Sequence, residues 1–350
     1  MVGAADRADG YRDSVPPPTG APGISWDWSR ALLGLLYALP ATAVILFGNP
    51  QLGLALAVGV MPSATLALPG LRRGRVLIVV VGGVAAACMT VGAVLAEVPV
   101  AAVVGIALLA VVAALGSSRS RIGALALALG LPLVGIGLSF ADVGEAAGLG
   151  GLMILGSVWA CLVSMVWPEH PRAAPPARRL PPRAALVYGC LLGAAAGLAA
   201  AIGFAADLEH VGWATAAALL VMRPARGALV LRSVGRAASV LVGALAGGLY
   251  MTTRPSPTET AVVVLLVLTG LAATQASRWY IAPAFTTFLV FVLLLWGSPA
   301  DAAHRFGERT LETLLGVGLA LLFGAVLPAI LERSRGAAGA TETPGPPGAG

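Results

Sequence analysis

Long apolar stretches, separated by short polar or Gly/Pro-containing breaks, occupy most of this chain. They recur from Ala31 to the region of Pro328, and many reach the roughly 18 residues that a helix needs to cross a hydrocarbon core of about 30 Å. Their apolarity is continuous rather than alternating, which favours helices over barrel strands, because lipid offers no partner for open backbone groups. We therefore predict an all-α polytopic membrane protein.

The breaks between these stretches define the predicted spans and their order. Six fall in the first half, at 31–47, 51–68, 76–95, 98–116, 121–139 and 149–167. Six follow in the second half, at 184–205, 211–223, 233–251, 260–276, 279–296 and 310–330. Because 211–223 and some others are short for a full crossing, we expect about 12 helices, within a range of 10–12.

Composition narrows the chemistry that the chain can perform. Hydrophobic residues make up 58% and charged residues 11% of the 350 positions, whereas soluble domains carry roughly 25% charged residues. No Lys is present, which excludes a Walker-type phosphate loop and a Lys Schiff base. Cys88, Cys161 and Cys190 stand singly in apolar runs, and the His residues lie in loops without metal-ligand spacing. We expect no cofactor, no metal and no enzyme activity.

The charged loops predict an orientation in the membrane. Alternate loops collect the basic residues, which include Arg72, Arg73, Arg75, Arg119, Arg121, Arg172, Arg178, Arg179, Arg183, Arg278, Arg333 and Arg335. The opposite loops collect Glu97, Asp142, Glu145, Asp207 and Glu209, with Arg254, Arg305 and Arg309 as exceptions. Since basic residues concentrate on the inner side, we predict a multi-pass protein of the cell membrane with both termini in the cytoplasm. We therefore attribute the net charge of +6 to residues that orient the protein in the membrane, and not to nucleic-acid binding.

The two halves of the chain resemble each other at a nearly constant offset. Identical residues recur in the two halves at one common offset in number in four pairs: Met61/Met222, Gly74/Gly235, Arg75/Arg236 and Gly82/Gly243. Three further pairs recur at an offset one residue shorter: Gly156/Gly316, Ala160/Ala320 and Pro168/Pro328. An even number of spans per half predicts parallel repeats. The expected organisation is a disordered cytoplasmic N-terminus (1–30), a first repeat (31–167), a cytoplasmic linker (168–183), a second repeat (184–330) and a disordered tail (331–350).

The segment from His210 to Gly248 is the most distinctive part of the chain. A short apolar run ends at Arg223-Pro224, and the chain continues through Arg226 into a helix that carries Arg232 and Arg236 four residues apart on one face. One interpretation is an anion-attracting mouth that uses these Arg residues and a helix N-terminus. The other is a set of cytoplasmic anchors that contact lipid phosphates.

This segment also resembles a known family. A Trp, an apolar helix, Arg-Pro, Gly and Arg residues that lead into a Gly-spaced helix are similar to the FUSC family of fusaric-acid-resistance-like proteins, which includes exporters of aromatic carboxylic acids. Arg278–Leu295 and Gly307–Pro328 resemble the same family, through a Tyr-led span with central Thr and an Arg-x-x-x-Thr-x-x-Gly span. The resemblance covers roughly 184–330. Within it, Tyr280, Thr286 and Thr287 are candidates for the substrate or anion path.

Several individual side chains are candidates for the transport path. Glu308, Arg309 and Glu312 begin the last span, where an unpaired charge near the centre costs about 2.5–3.5 kcal/mol. One interpretation is that Glu312 takes up and releases a proton, while Arg309 holds either Glu312 or a substrate carboxylate. The other is that Glu312 and Arg309 form an ion pair at the level of the lipid headgroups. Thr286 and Thr287 either line a polar path or bond helix backbone. The Trp213 ring either stacks on an aromatic substrate or anchors the helix at the bilayer surface.

The leading functional hypothesis is a secondary transporter that exports small aromatic or organic acids, or related toxic compounds, driven by the proton gradient. The substrate class comes from the FUSC resemblance. A major-facilitator-like carrier is an alternative, since Gly70–Arg75 resembles the basic loop of that group without its acidic residue. An anion channel or a non-transporting membrane protein is another. The expected partners are the lipid bilayer and a small-molecule substrate, and a homo-oligomer is left open.

Overall fold

The protein is described by a computed structural model that covers residues 23–65, 68–169, 180–222, 229–277, 280–296 and 302–330. All regular structure in these ranges is helical, so the prediction of an all-α fold is confirmed. The helices in chain order are α1 (Trp28–Leu46), α2 (Pro50–Thr65), α3 (Arg72–Ala96), α4 (Pro99–Arg119), α5 (Arg121–Gly137), α6 (Val143–Val166), α7 (Pro182–Ala205), α8 (Val211–Val221), α9 (Leu229–Thr252), α10 (Pro257–Ala273), α11 (Ala282–Leu295) and α12 (Ala302–Leu321, continued by the π-helical turn Leu322–Val326).

Length and apolarity identify the helices that can cross a bilayer. Among the described residues, α1, α3, α4, α6, α7, α9 and α12 are long and apolar enough, and α5, α8, α10 and α11 are shorter apolar helices. Large apolar side chains are exposed along these helices, as at Val104, Leu108 and Val112 on α4, four residues apart. Such a stripe is stable against lipid but not against water. The chain is therefore a multi-pass membrane protein.

Side-chain caps begin several of the helices. The Asp27 carboxylate accepts hydrogen bonds from the backbone N–H groups of Ser29 and Arg30 at the start of α1. Ser256 and Glu259 form a reciprocal capping box at the start of α10. Asp207 adopts a left-handed conformation (φ 51°) just after α7, which turns the chain sharply toward α8.

Helix packing centres on two buried helices, α2 and α8. α2 packs against α1, α6 and α11, and α8 packs against α7, α12 and α5. Small residues allow these approaches: Gly156 of α6 lies against the α2 backbone at Gly59, and Gly316 of α12 lies against the α8 backbone at Ala214. All residues of α8 except Leu220 are buried, as expected for a helix that is apolar on every side.

The segments predicted to be cytoplasmic meet at one end of the bundle. The backbone N–H of Asp27 donates to the Ala273 carbonyl at 3.1 Å, and the backbone N–H of Arg72 donates to the Glu169 carboxylate at 2.7 Å. Arg75, which the sequence places in an exposed basic loop, is instead fully buried. Its guanidinium donates to carbonyls at the end of α6 and the residues that follow, and to one in the preceding loop: Ser164, Trp167, Pro168 and Pro69.

Candidate functional site

The Trp213 indole is the centre of an aromatic and cationic stack inside the second half of the chain. The His210 ring lies parallel to it with ring centroids 4.1 Å apart, and the Arg309 guanidinium carbon lies 4.1 Å from the indole centroid. Phe291 of α11 approaches more loosely, at 6.5 Å. The Trp213 side chain is only 7% exposed. A substrate ring could stack on this indole only after His210 or Arg309 moved away.

Three charged side chains from two helices meet beside this stack. Arg309 and Glu312 lie one turn apart on α12, and Arg236 of α9 is close enough to Arg309 for electrostatic repulsion. Glu312 is fully buried and interacts electrostatically with Arg309. The backbone N–H of His210 lies near its carboxylate, although no hydrogen bond of ordinary geometry forms there. At their ordinary charges these three side chains sum to one net positive charge, and Glu308, which acts electrostatically on Glu312, lies in the neighbouring layer.

Unpaired buried polar atoms are concentrated in this region. Within the ranges that the structure describes, Arg236 and Arg309 are half-buried but their Nε atoms are fully buried and lack a hydrogen-bond partner, as do both carboxylate oxygens of Glu312. The same is true of one atom each in His210, Arg305 and Glu308. Unsatisfied buried charges are strongly unfavourable. Their clustering indicates a place where a polar ligand or water completes the hydrogen bonding. We call Trp213, Arg236, Arg309 and Glu312 the central cluster.

A second layer of charged groups lies next to the central cluster, at the loop between α7 and α8. Glu209 of that loop forms an ion pair with Arg305 of α12 at 2.9 Å. His304 lies 3.6 Å from Glu308. Burial lowers the pKa of His210 to about 4, assisted by the positive charges of Arg305 and Arg309 and opposed by Glu209. His210 is therefore neutral at physiological pH.

Glu209, His210 and Glu308 place one possible metal-ligand atom each within 4.8 Å of one another. Glutamate oxygens and a neutral imidazole suit a divalent cation such as Zn²⁺. However, Glu209 is already paired with Arg305, and Arg309 adds a further positive charge beside His210. These charges favour a network of ion pairs at this position over a bound metal ion.

The other candidates from the sequence lie around the cluster or outside the described ranges. The Thr286 hydroxyl donates to the Pro283 carbonyl of its own helix at 3.2 Å. Thr287 is buried where α11 packs against Gly243 of α9. The Tyr280 ring packs against Gly235, one residue before Arg236, and the Tyr280 carbonyl accepts from the Ser239 hydroxyl. Arg232 is half-buried on α9, and Arg223 and Arg226 lie outside the described residues.

Sequence reasoning missed the partners that surround Trp213. His210 precedes it by one helical turn, a spacing that could have suggested the stack. Phe291, Glu209 and Arg305 come from separate elements, and no local pattern connects them. The approach of Arg236 to Arg309 likewise depends on the packing of α9 against α12.

The apolar helices and the charged cluster inside their bundle belong to a multi-pass membrane protein. Residues 198–323 match the family model described as "Fusaric acid resistance protein-like". The FUSC resemblance is thereby confirmed for this segment, which contains the whole central cluster, and together with the apolar helices the match indicates a membrane protein of the transporter type. Comparison with curated proteins gives no significant match, and comparison with solved structures gives none either.

Proposed function

We propose that this protein is a secondary transporter that exports small organic acid anions, aromatic acids among them, and that the anion binds at the central cluster. The observation that carries this proposal is the pair Arg236 and Arg309, whose buried Nε atoms have no partner among the described residues. The two guanidinium groups stand beside one carboxylate, Glu312, and Glu308 of the neighbouring layer acts electrostatically on that carboxylate. Arginine pairs bidentately with carboxylates, so an organic acid would supply acceptors for the unpartnered guanidinium donors.

The driving force is proposed to act through Glu312. With an anion bound and Glu312 ionised, the two negative charges neutralise the two arginines. The loaded site then moves through the low-dielectric interior of the membrane without net charge, which keeps the electrostatic penalty lowest. After the anion leaves on the outer side, Glu312 takes a proton there and releases it on the inner side. The returning site is then positively charged, and a negative interior potential favours its return.

The proposed architecture is two parallel repeats of six crossing helices, with both termini in the cytoplasm. Helix bounds recur between the halves: α2 and α8 begin at Pro50 and Val211, and α6 and α12 begin at Val143 and Ala302. The packing pairs recur too, since α4 with α7 corresponds to α10 with α1, and α2 with α6 corresponds to α8 with α12. In this arrangement the short helix α8 places Trp213 within the second repeat.

Transport assays in proteoliposomes test this function with three probes that share one ring. Benzoate, benzenesulfonate and benzyltrimethylammonium differ mainly in charge, and protein-free liposomes measure background leakage. We expect saturable counterflow of the two anions and none of the cation. Equal transport of the cation would contradict an anion site, and an ohmic anion current in planar bilayers would identify a channel instead.

Glu312→Gln tests the coupling separately. The amide keeps the size of the side chain but cannot carry a proton, so we expect anion exchange to continue while accumulation driven by a pH gradient stops. Unchanged pH-driven accumulation would remove Glu312 from the coupling step.

A further inference from the structure

A polar cavity lies mainly in the first half of the chain, where the segments predicted to be cytoplasmic meet. It measures about 210 Å³ and is lined by side chains from α1, α2, the loop before α3, the start of α3, the end of α6 and the end of α10. Its walls combine apolar surface, from Leu33, Ile78 and Trp167, with polar groups from Arg30 and Gln275. A small molecule with a polar end and an apolar body matches this distribution.

The charges around the cavity favour an anion. Arg30 and Asp27 both line it, and the Arg30 Nε lies 3.5 Å from the second carboxylate oxygen of Asp27. The first oxygen of Asp27 already accepts two backbone hydrogen bonds as the cap of α1. Arg75 also lines the cavity; its side chain is fully buried, and its guanidinium is bonded to backbone carbonyls and contributes a second positive charge. The two arginines exceed the single aspartate by one positive charge.

Gln275 adds an unpaired donor to the cavity wall. It lines the cavity, and its side-chain amide nitrogen is buried without a hydrogen-bond partner among the described residues. By contrast, the Ser63 hydroxyl donates to Ser157, and the Trp167 indole N–H donates to Ser29 at 3.3 Å. The cavity therefore offers donors from Arg30 and Gln275, and one carboxylate in its wall, Asp27, is already engaged by Arg30 and by the backbone of α1. A carboxylate is the complementary group.

We propose that this cavity is a second binding site for small organic acid anions, separate from the central cluster. The anionic end pairs with Arg30 and Gln275, and the apolar body lies against Leu33 and Trp167. Its position at the predicted cytoplasmic end makes it a loading site for outward transport, a role that rests on the proposed function. The binding itself depends only on the cavity.

Equilibrium binding of radiolabelled benzoate to the purified full chain in detergent micelles tests the second site. We expect two benzoates per wild-type chain. Arg30→Gln and Gln275→Glu should each weaken benzoate binding at the cavity by roughly tenfold or more. Arg30→Gln removes the charge-assisted hydrogen bond to the carboxylate, and Gln275→Glu places a negative charge opposite it. Arg236→Gln should weaken only the other site. Arg73→Gln is the matched control, since Arg73 is exposed in the same region but does not line the cavity.

The possible outcomes separate the two proposals. One benzoate per chain, insensitive to Arg30→Gln and Gln275→Glu but lost in Arg236→Gln, would overturn the second site and keep the proposed function. One benzoate lost in the cavity variants but retained in Arg236→Gln would support the second site and contradict the central cluster. No benzoate binding at millimolar concentrations would overturn the second site. If phosphatidylglycerol displaces benzoate from the cavity, the cavity binds a lipid headgroup, and its role as a loading site is overturned. Thermal unfolding of each variant shows whether the chain remains folded, and Gln275→Leu supplies a second test if Gln275→Glu does not fold.

Discussion

The guanidinium carbon of Arg309 lies 4.1 Å from the centre of the Trp213 indole. This contact joins α12 to α8 and holds a positive charge inside the bundle, beside the buried carboxylate of Glu312. An arginine over an indole is stabilised by about 0.5–2 kcal/mol, depending on how far it is desolvated. The indole therefore helps to fix Arg309 where a substrate anion would meet it.

Trp213→Leu should release Arg309 and weaken the binding of anions. From the range given for a cation over an aromatic face, we expect the half-saturating benzenesulfonate concentration in counterflow to rise by about 2- to 30-fold. Trp213→Phe should show a smaller rise, because it retains an aromatic face. Trp159→Phe is a suitable control, since Trp159 of α6 donates to the Leu36 carbonyl of α1 and is not part of the central cluster. Equal values for Trp213→Leu and wild type would show that the contact does not position Arg309.

His210 should contribute shape rather than charge to this stack. Because burial lowers its pKa to about 4, it is neutral over the range from pH 5.5 to 8 that transport assays use. His210→Phe keeps a flat ring against Trp213, so we expect the pH profile of counterflow to be unchanged over that range. A profile that loses its acidic limb in His210→Phe would show that His210 titrates during transport.

The spacing of α12 from α8 should depend on one glycine. A side chain at Gly316 would collide with the α8 backbone at Ala214, whereas Gly318 on the same helix faces open space. Gly316→Leu should therefore separate the helices, lower the unfolding temperature and abolish counterflow. Gly318→Leu should leave both unchanged. Similar behaviour of the two variants would mean that the close approach is not needed.

Arg75 should stabilise the first half of the chain. Its guanidinium is fully buried and donates to the carbonyls of Ser164, Trp167 and Pro168, so removal leaves buried acceptors without partners. We expect Arg75→Gln to cost about 3 kcal/mol or more of stability, visible as a lower unfolding temperature in detergent. The exposed Arg73 is the control. An Arg75→Gln protein as stable as Arg73→Gln would contradict this structural role.

Helix positions followed closely from the sequence, but contacts between helices did not. The predicted span 211–223 corresponds to α8 at Val211–Val221, and 98–116 corresponds to α4 at Pro99–Arg119, because continuous apolarity and Pro or Gly breaks act locally. The FUSC resemblance located the half that carries the cluster. It could not show that Arg236 lies near Arg309, since that proximity arises from the packing of α9 on α12. Positive-inside reasoning read Arg75 as a surface charge, because charge counting cannot detect a guanidinium that caps buried carbonyls.

Counterflow of benzenesulfonate in proteoliposomes tests the central claim most directly, by comparing Arg236→Gln and Arg309→Gln with Arg73→Gln at equal amounts of reconstituted protein. If Arg236 and Arg309 hold the substrate anion, each of the first two variants lowers the initial rate at subsaturating substrate by at least about tenfold, and Arg73→Gln transports like wild type. Wild-type rates in both Arg236→Gln and Arg309→Gln would show that the anion binds elsewhere.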